Sequence, residues 1–260
     1  MNVALSVPEK DCIDWFDALA ETTRVRAAEI PVAALTEGTE TIEDAAYRGI
    51  NLSFVRDVLS AEESRYFSDI PRPARHAVAQ TLSGRLSHCC RIGARTASMR
   101  LGLERIREQD EETEIAARVE FLKRIVTPLD SYGLTLCLNV RYPLERPGSR
   151  EWDLAINIVH DVMHPMLRMG VDVFPGELPG EFDAMTFVRN TGMNLGVIRF
   201  VYEPGLGETM THGDLTSWNE ALRWHGFRGG IVFCPRQRRH TTLADICFEV
   251  DRWAAAFETF

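Results

Sequence analysis

Apolar runs of strand length alternate with stretches of helical periodicity along the chain. The unit is clearest at Tyr132–Pro143, YGLTLCLNVRYP, where a helix closes at Gly133, an apolar run follows, and polar residues stand where it ends. In a strand successive side chains take opposite faces, so Cys137, Asn139 and Arg141 share one face and Leu136, Leu138 and Val140 the other. The same reading predicts strands at 3–7, 24–30, 51–55, 95–99, 171–174, 197–202 and within 227–237. Helical spacing predicts helices over 9–22, 41–47, 73–92, 112–132, 151–169, 182–194, 215–225 and 243–257. Pro71 and Pro73 open the third of these and Gly93 stops it, while Gly133 and Gly170 close the fourth and fifth. The acidic run Glu108–Glu114 reads as a solvated helix start.

Eight strands, each followed by helical sequence, imply parallel pairing through right-handed crossovers. The simplest closure is a (β/α)8 TIM barrel of the α/β class, one domain spanning residues 1–260. A chain that is 45% hydrophobic and 26% charged supports a core of that size. Its net charge of −9 argues against nucleic acid as a partner, because phosphate neutralisation needs a basic surface. There is no apolar run of the roughly 18 residues a membrane span requires, and the N-terminus has no basic segment leading into an apolar one. The six cysteines form no C-x-x-C pair, so reduced thiols and a cytoplasmic location are expected; a homo-oligomer is left open.

A barrel of this kind carries its site at the carboxyl ends of the strands. Those ends present Glu29, Arg56, Arg100, Asn139 with Arg141, Glu177, Arg199 with Tyr202 and Glu203, and Cys234 with Arg236. Arginine recurs at five of the eight ends, a planar fork of donors matched to carboxylate and phosphate. The Gly- and Pro-rich PGELPGEF at the sixth strand's exit has the composition of a ligand-facing loop. His212 and Asp214, in the loop after the seventh strand, offer an acid–base pair, or Asp214 caps the next helix. His160 and His164 have the helical spacing of a zinc pair but fall on the outer ring, where surface or packing roles are expected.

In order and spacing, Glu29 in AAEI, IGARTASMRLG, YGLTLCLNV, FPGE and FRGGIVFC resemble strands two, four, five, six and eight of the xylose isomerase-like TIM barrels. That superfamily includes sugar-phosphate isomerases and epimerases and endonuclease IV-type nucleases. The resemblance implies a divalent metal, Mg²⁺ or Mn²⁺, held by carboxylates and histidine, with strand-five and strand-eight glutamates as acid and base. Here those two positions are similar to Asn139 and Cys234, and Arg100 takes the place of a usual strand-four histidine. The strand-six aspartate and histidine fall on Phe174 and Glu177, and the strand-seven histidine on Tyr202. No metal ligand is assigned on this alignment, because an oxygen cage needs several carboxylates.

The resulting expectation is a divergent isomerase or epimerase for a small anionic carbohydrate, a sugar phosphate or sugar acid. Arg56, Arg100, Asn139, Arg141, Arg199, Glu203, Cys234 and Arg236 would bind it. Glu29, Glu177 or Glu203 would act as base, and Tyr202 or His212 as acid. The alternative is a non-catalytic barrel that has lost its metal and binds the same kind of ligand. A nuclease reading would need three metals and a basic groove.

Overall fold

The computed structural model describes residues 1–36, 40–65, 67–141, 150–175, 178, 183–191, 194–204, 212–236 and 241–258. Eight strands close into one barrel in chain order, every neighbouring pair parallel. They are β1 (Asn2–Ser6), β2 (Ala27–Pro31), β3 (Asn51–Arg56), β4 (Thr96–Met99), β5 (Thr135–Arg141), β6 (Leu167–Val173), β7 (Leu195–Tyr202) and β8 (Gly230–Pro235). The helices around them are α1 (Cys12–Ala20), α2 (Ala33–Thr36), α3 (Glu40–Tyr47), α4 (Ala61–Arg65), α5 (Arg72–Arg91), α6 (Glu111–Val126), α7 (Leu129–Tyr132), α8 (Arg150–Val162), α9 (Ala184–Thr191), α10 (His212–Trp224) and α11 (Leu243–Glu258).

Alternation along the strands builds two separate apolar layers. Leu5, Ile30, Val55, Leu138, Val171, Phe200 and Phe233 point outward and pack under the helices. Ala4, Ala27, Phe54, Cys137, Val197, Val232 and Cys234 fill the barrel's interior. Both faces of each strand are covered, which is why these runs read as nearly continuous hydrophobic sequence.

The predicted helix over 112–132 is two helices. Pro128 cannot donate to the helical ladder, so α6 ends at Val126 and α7 begins at Leu129, with Gly133 at φ +61° turning the chain into β5. The predicted boundary between the fifth helix and sixth strand is also displaced. α8 stops at Val162, Met163 sits at φ +51° ahead of Pro165, and β6 starts at Leu167 instead of Val171. Gly170 is therefore no helix stop but the middle of a strand. It lies in register with Asn139 of β5, and a Cβ there would fall 1.7 Å from Asn139 Oδ1.

Candidate ligand site at the barrel mouth

Register brings Arg141, Asp172 and Arg199 side by side across β5, β6 and β7 on the inner face. Arg199 is the hub. Its Nη2 and Nε donate to Glu29 Oε2 on β2 at 2.9 and 3.2 Å, and its Nη1 donates to Asp172 Oδ1 at 3.0 Å. The Ser6 hydroxyl donates to the same Glu29 oxygen at 2.7 Å, and Arg56 Nε lies 3.9 Å from it. Asp172 also accepts from Asn139 Nδ2 at 3.1 Å and, on its other oxygen, from Arg100 Nη2. Glu29, Asp172 and Asn139 are buried. Burial disfavours the charge on Arg199, but the acidic groups around it, Cys234, Glu29 and Asp172, outweigh that cost and hold its pKa well above the ordinary value.

Arg100 follows β4 and stays half-exposed at the mouth while bonded to Asp172. The loop behind it is anchored from α6, where fully buried Arg118 donates through Nε to the Leu101 carbonyl at 3.0 Å. On the rim, Arg141 and Arg236 stack their guanidinium groups over the Phe174 ring, with Cζ 4.3 and 4.8 Å from its centroid. Two more cations are thereby held by one aromatic ring.

Glu151, in the first turn of α8, completes the mouth. Arg150 beside it is tied to Glu111 of α6 at 2.8 Å, which fixes that turn. Burial pushes the Glu151 carboxyl up to about 7; Glu104 and Asp172 add to the rise, and Arg100 and Arg141 oppose it. A carboxylic acid that exchanges its proton near neutrality is suited to general acid–base work.

Of the predicted site residues, Glu29, Arg56, Arg100, Asn139 and Arg199 converge in one network, and Arg141 and Arg236 join at its rim. Cys234 faces the interior, but burial pushes its thiol up to about 12, so it is neither base nor nucleophile at neutral pH. Glu203 follows β7 and is half-buried. Tyr202 is displaced from its expected role, because the strand's alternation turns it outward. Its ring packs edge-on against Trp253 of α11 at 4.7 Å, and burial holds its hydroxyl well above the ordinary pKa. Glu29 is locked by Arg199 and Ser6, an orienting anion in place of the expected base. Glu177 lies outside the described residues, and His212 opens α10 with its side chain outside them too. His160 is exposed beside Asp161 on the outer ring, as its helical position implies.

Asp172 and Glu151 are the two residues sequence reasoning missed. Reading the sixth strand's exit at Glu177, with the usual aspartate on Phe174, passes over Asp172, the one acid in the run MGVDVF. Glu151 has no local signal, since its chemistry comes from groups on other elements.

The residues present do not fit the divalent metal that the resemblance implies. The inner positions at the ends of β5, β6, β7 and β8 are Asn139, Asp172, Arg199 and Cys234, a set with a single carboxylate. The Arg199 guanidinium already stands between Glu29 and Asp172, where it satisfies both negative charges. Among the described residues no three His, Cys, Asp or Glu side chains form a group that could hold a metal ion.

No protein-family model and no curated protein sequence matches the chain. Solved structures do. D-psicose 3-epimerase from Clostridium cellulolyticum superposes with a TM-score of 0.72 at 18% identity, over 99% of this chain and 97% of that one. A 3-keto-D-glucoside 4-epimerase from E. coli gives 0.72 at 14% identity, over 97% and 99%. An AP endonuclease of family 2 from Brucella melitensis gives 0.65 at 13% identity, over 95% and 98%. The fold is the closed (β/α)8 barrel that these epimerases and the endonuclease share, and the strand ends of this one carry an arginine-centred network.

Proposed function

We propose that the mouth binds a small anionic carbohydrate, a sugar phosphate or sugar acid, and isomerises it without a resident divalent metal. The observation that carries the reading is Glu151, a carboxyl pushed up to about 7 by burial in the field of Glu104, Arg100, Asp172 and Arg141. Arg100, Arg141 and Arg236 supply the donors for the substrate's anionic group. Glu151 removes a proton from the hydroxyl-bearing carbon next to the carbonyl and returns it to the former carbonyl carbon, while the hydroxyl proton passes from one oxygen of the enediolate to the other. The guanidinium of Arg100 stabilises the negative charge that develops on the enediolate oxygen between the two transfers. A single proton-exchanging group suits this shift between neighbouring carbons on one face. Epimerisation, with removal and return on opposite faces, requires a second group.

The test is turnover in D₂O with a chelator present, across a panel of sugar phosphates and sugar acids. Isomer formation with solvent deuterium in the product is the expected result, and its loss in Glu151→Gln identifies the base. Failure of every anionic sugar to react or to raise the melting temperature would overturn the reading. One observation favours a second reading, a binding protein without turnover: Arg199 holds both Glu29 and Asp172, leaving Glu151 without a partner base. In that case anionic sugars stabilise the protein and exchange no deuterium.

A further inference from the structure

The geometry points to a second anion site at the opposite, N-terminal end of the barrel, built to take a small phosphate-bearing molecule. That end of a TIM barrel is ordinarily a stability face, closed by packed side chains. Here a cavity of about 570 Å³ opens between the starts of β4 to β8 and reaches inward to the ring of Phe54. Its charged lining consists of Arg95, Arg168, Arg228 and His225, with no aspartate or glutamate among the lining residues. Acids outnumber Lys and Arg by 38 to 29 in the whole chain, so this lining runs against the composition. Arg95 and Arg228 are exposed, and neither guanidinium has a hydrogen bond or ion pair with a described side chain.

Glycines shape the cavity. A Cβ on Gly230 would fall 2.1 Å from the Phe54 ring, and one on Gly196 would fall 2.7 Å from both Arg168 Cβ and Cys137 Sγ. Each position must remain bare for Phe54 and Arg168 to sit where they form the floor and one wall. Gly133, at φ +61°, leaves Arg95 Nη1 3.9 Å from where a side chain would start, so that guanidinium lies over open backbone. The guanidinium forks of Arg95 and Arg228 present paired donors to phosphate oxygens, Arg168 adds positive charge at the wall, and the aromatic floor accepts an apolar carbon skeleton. No residue of this cavity belongs to the mouth, so the site does not depend on the proposed isomerase activity.

Inorganic pyrophosphate is the probe, added at constant ionic strength and followed by melting temperature and hydrogen exchange. Wild-type protein and the rim variant Arg236→Ala are both expected to be stabilised, each with slowed exchange at residues 225–230. The double variant Arg95→Ala/Arg228→Ala should fold, since both side chains are exposed, and should bind at least about tenfold more weakly. The inference is overturned if wild type shows no stabilisation, if the double variant binds as well as wild type, or if protection appears only at the mouth and is lost in Arg236→Ala.

Discussion

Arg199 on β7 reaches across the barrel to Glu29 on β2 and places two N–H groups on one carboxylate oxygen, at 2.9 and 3.2 Å, while its third nitrogen holds Asp172. A covalently attached cation thus sits between two buried acids. Replacing it by a neutral side chain of similar length, Arg199→Met, leaves Glu29 with Ser6 and the more distant Arg56, and Asp172 with Asn139 and Arg100, and is expected to cost up to about 3–5 kcal/mol in chemical denaturation. The same substitution vacates a cleft lined by Glu29, Asp172 and Asn139, so Mn²⁺ should raise the melting temperature of Arg199→Met and leave wild type unchanged. Equal response to Mn²⁺ or chelator in both proteins would contradict the account of Arg199 as the site's permanent cation.

Glu151 makes a pH-dependent contribution of definite sign. Its folded pKa, about 7, stands above the 4.5 of an unperturbed glutamate, so the folded state holds the proton more tightly than the unfolded one. The stability linked to that proton is fully present below pH 4.5 and is lost as pH rises through about 7. Glu151→Gln should therefore flatten the decline in stability expected of wild type between about pH 4.5 and 7, read as melting temperature against pH across that range. If the protein is an isomerase, kcat rises with pH through the same region as the base deprotonates, and Glu151→Gln lowers it by about 10²–10⁴-fold.

The barrel was legible in the sequence because each strand is an apolar run bounded by its own stops, and parallel strands covered on both faces carry that signal strongly. The arginines were legible because they stand at run ends. What failed was the extent of one strand and the parity of another. Gly170 looks like a helix stop by composition, yet it is bare because Asn139 lies over it, a contact between residues far apart in sequence. Starting at Leu167, the sixth strand runs beside β5 and β7 and pairs Asp172 with Arg141 and Arg199, which places it among the mouth residues. Tyr202 failed on parity, being adjacent to the mouth in sequence but on the outward face of β7. Glu151 owes its raised pKa to Glu104, Asp172 and burial under neighbouring elements, none of which is local.

Phe174 organises the rim, with the Arg141 and Arg236 guanidinium groups 4.3 and 4.8 Å from its centroid. Leucine preserves apolar volume but has no π face, so Phe174→Leu should release both arginines at a cost of about 0.5–1 kcal/mol each. Calorimetric titration with an anionic sugar identified from the panel should show weakening of about tenfold, from the two contacts together. Global stability should fall by no more than about 1–2 kcal/mol, the two lost contacts together, because Phe174 is only half-buried. Unaltered affinity would remove Arg141 and Arg236 from the binding surface and leave Arg100 as the mouth's anion contact.

Gly170 tests the register on which the whole site rests. A methyl group there would lie 1.7 Å from Asn139 Oδ1 and 3.0 Å from Val197 Cγ1, too close for either to remain in place. Asn139 would swing away from Asp172, breaking the 3.1 Å bond that helps hold that carboxylate toward Arg199. Gly170→Ala is expected to destabilise the protein by about 1–3 kcal/mol, as overpacking of a filled interior does. Shortening the neighbour should restore room, so Asn139→Ala/Gly170→Ala should lose less stability than the sum of the single losses, with a coupling of about 0.5–3 kcal/mol. Additive losses would mean the two side chains do not meet, and Asp172 would then have no claim to the inner face.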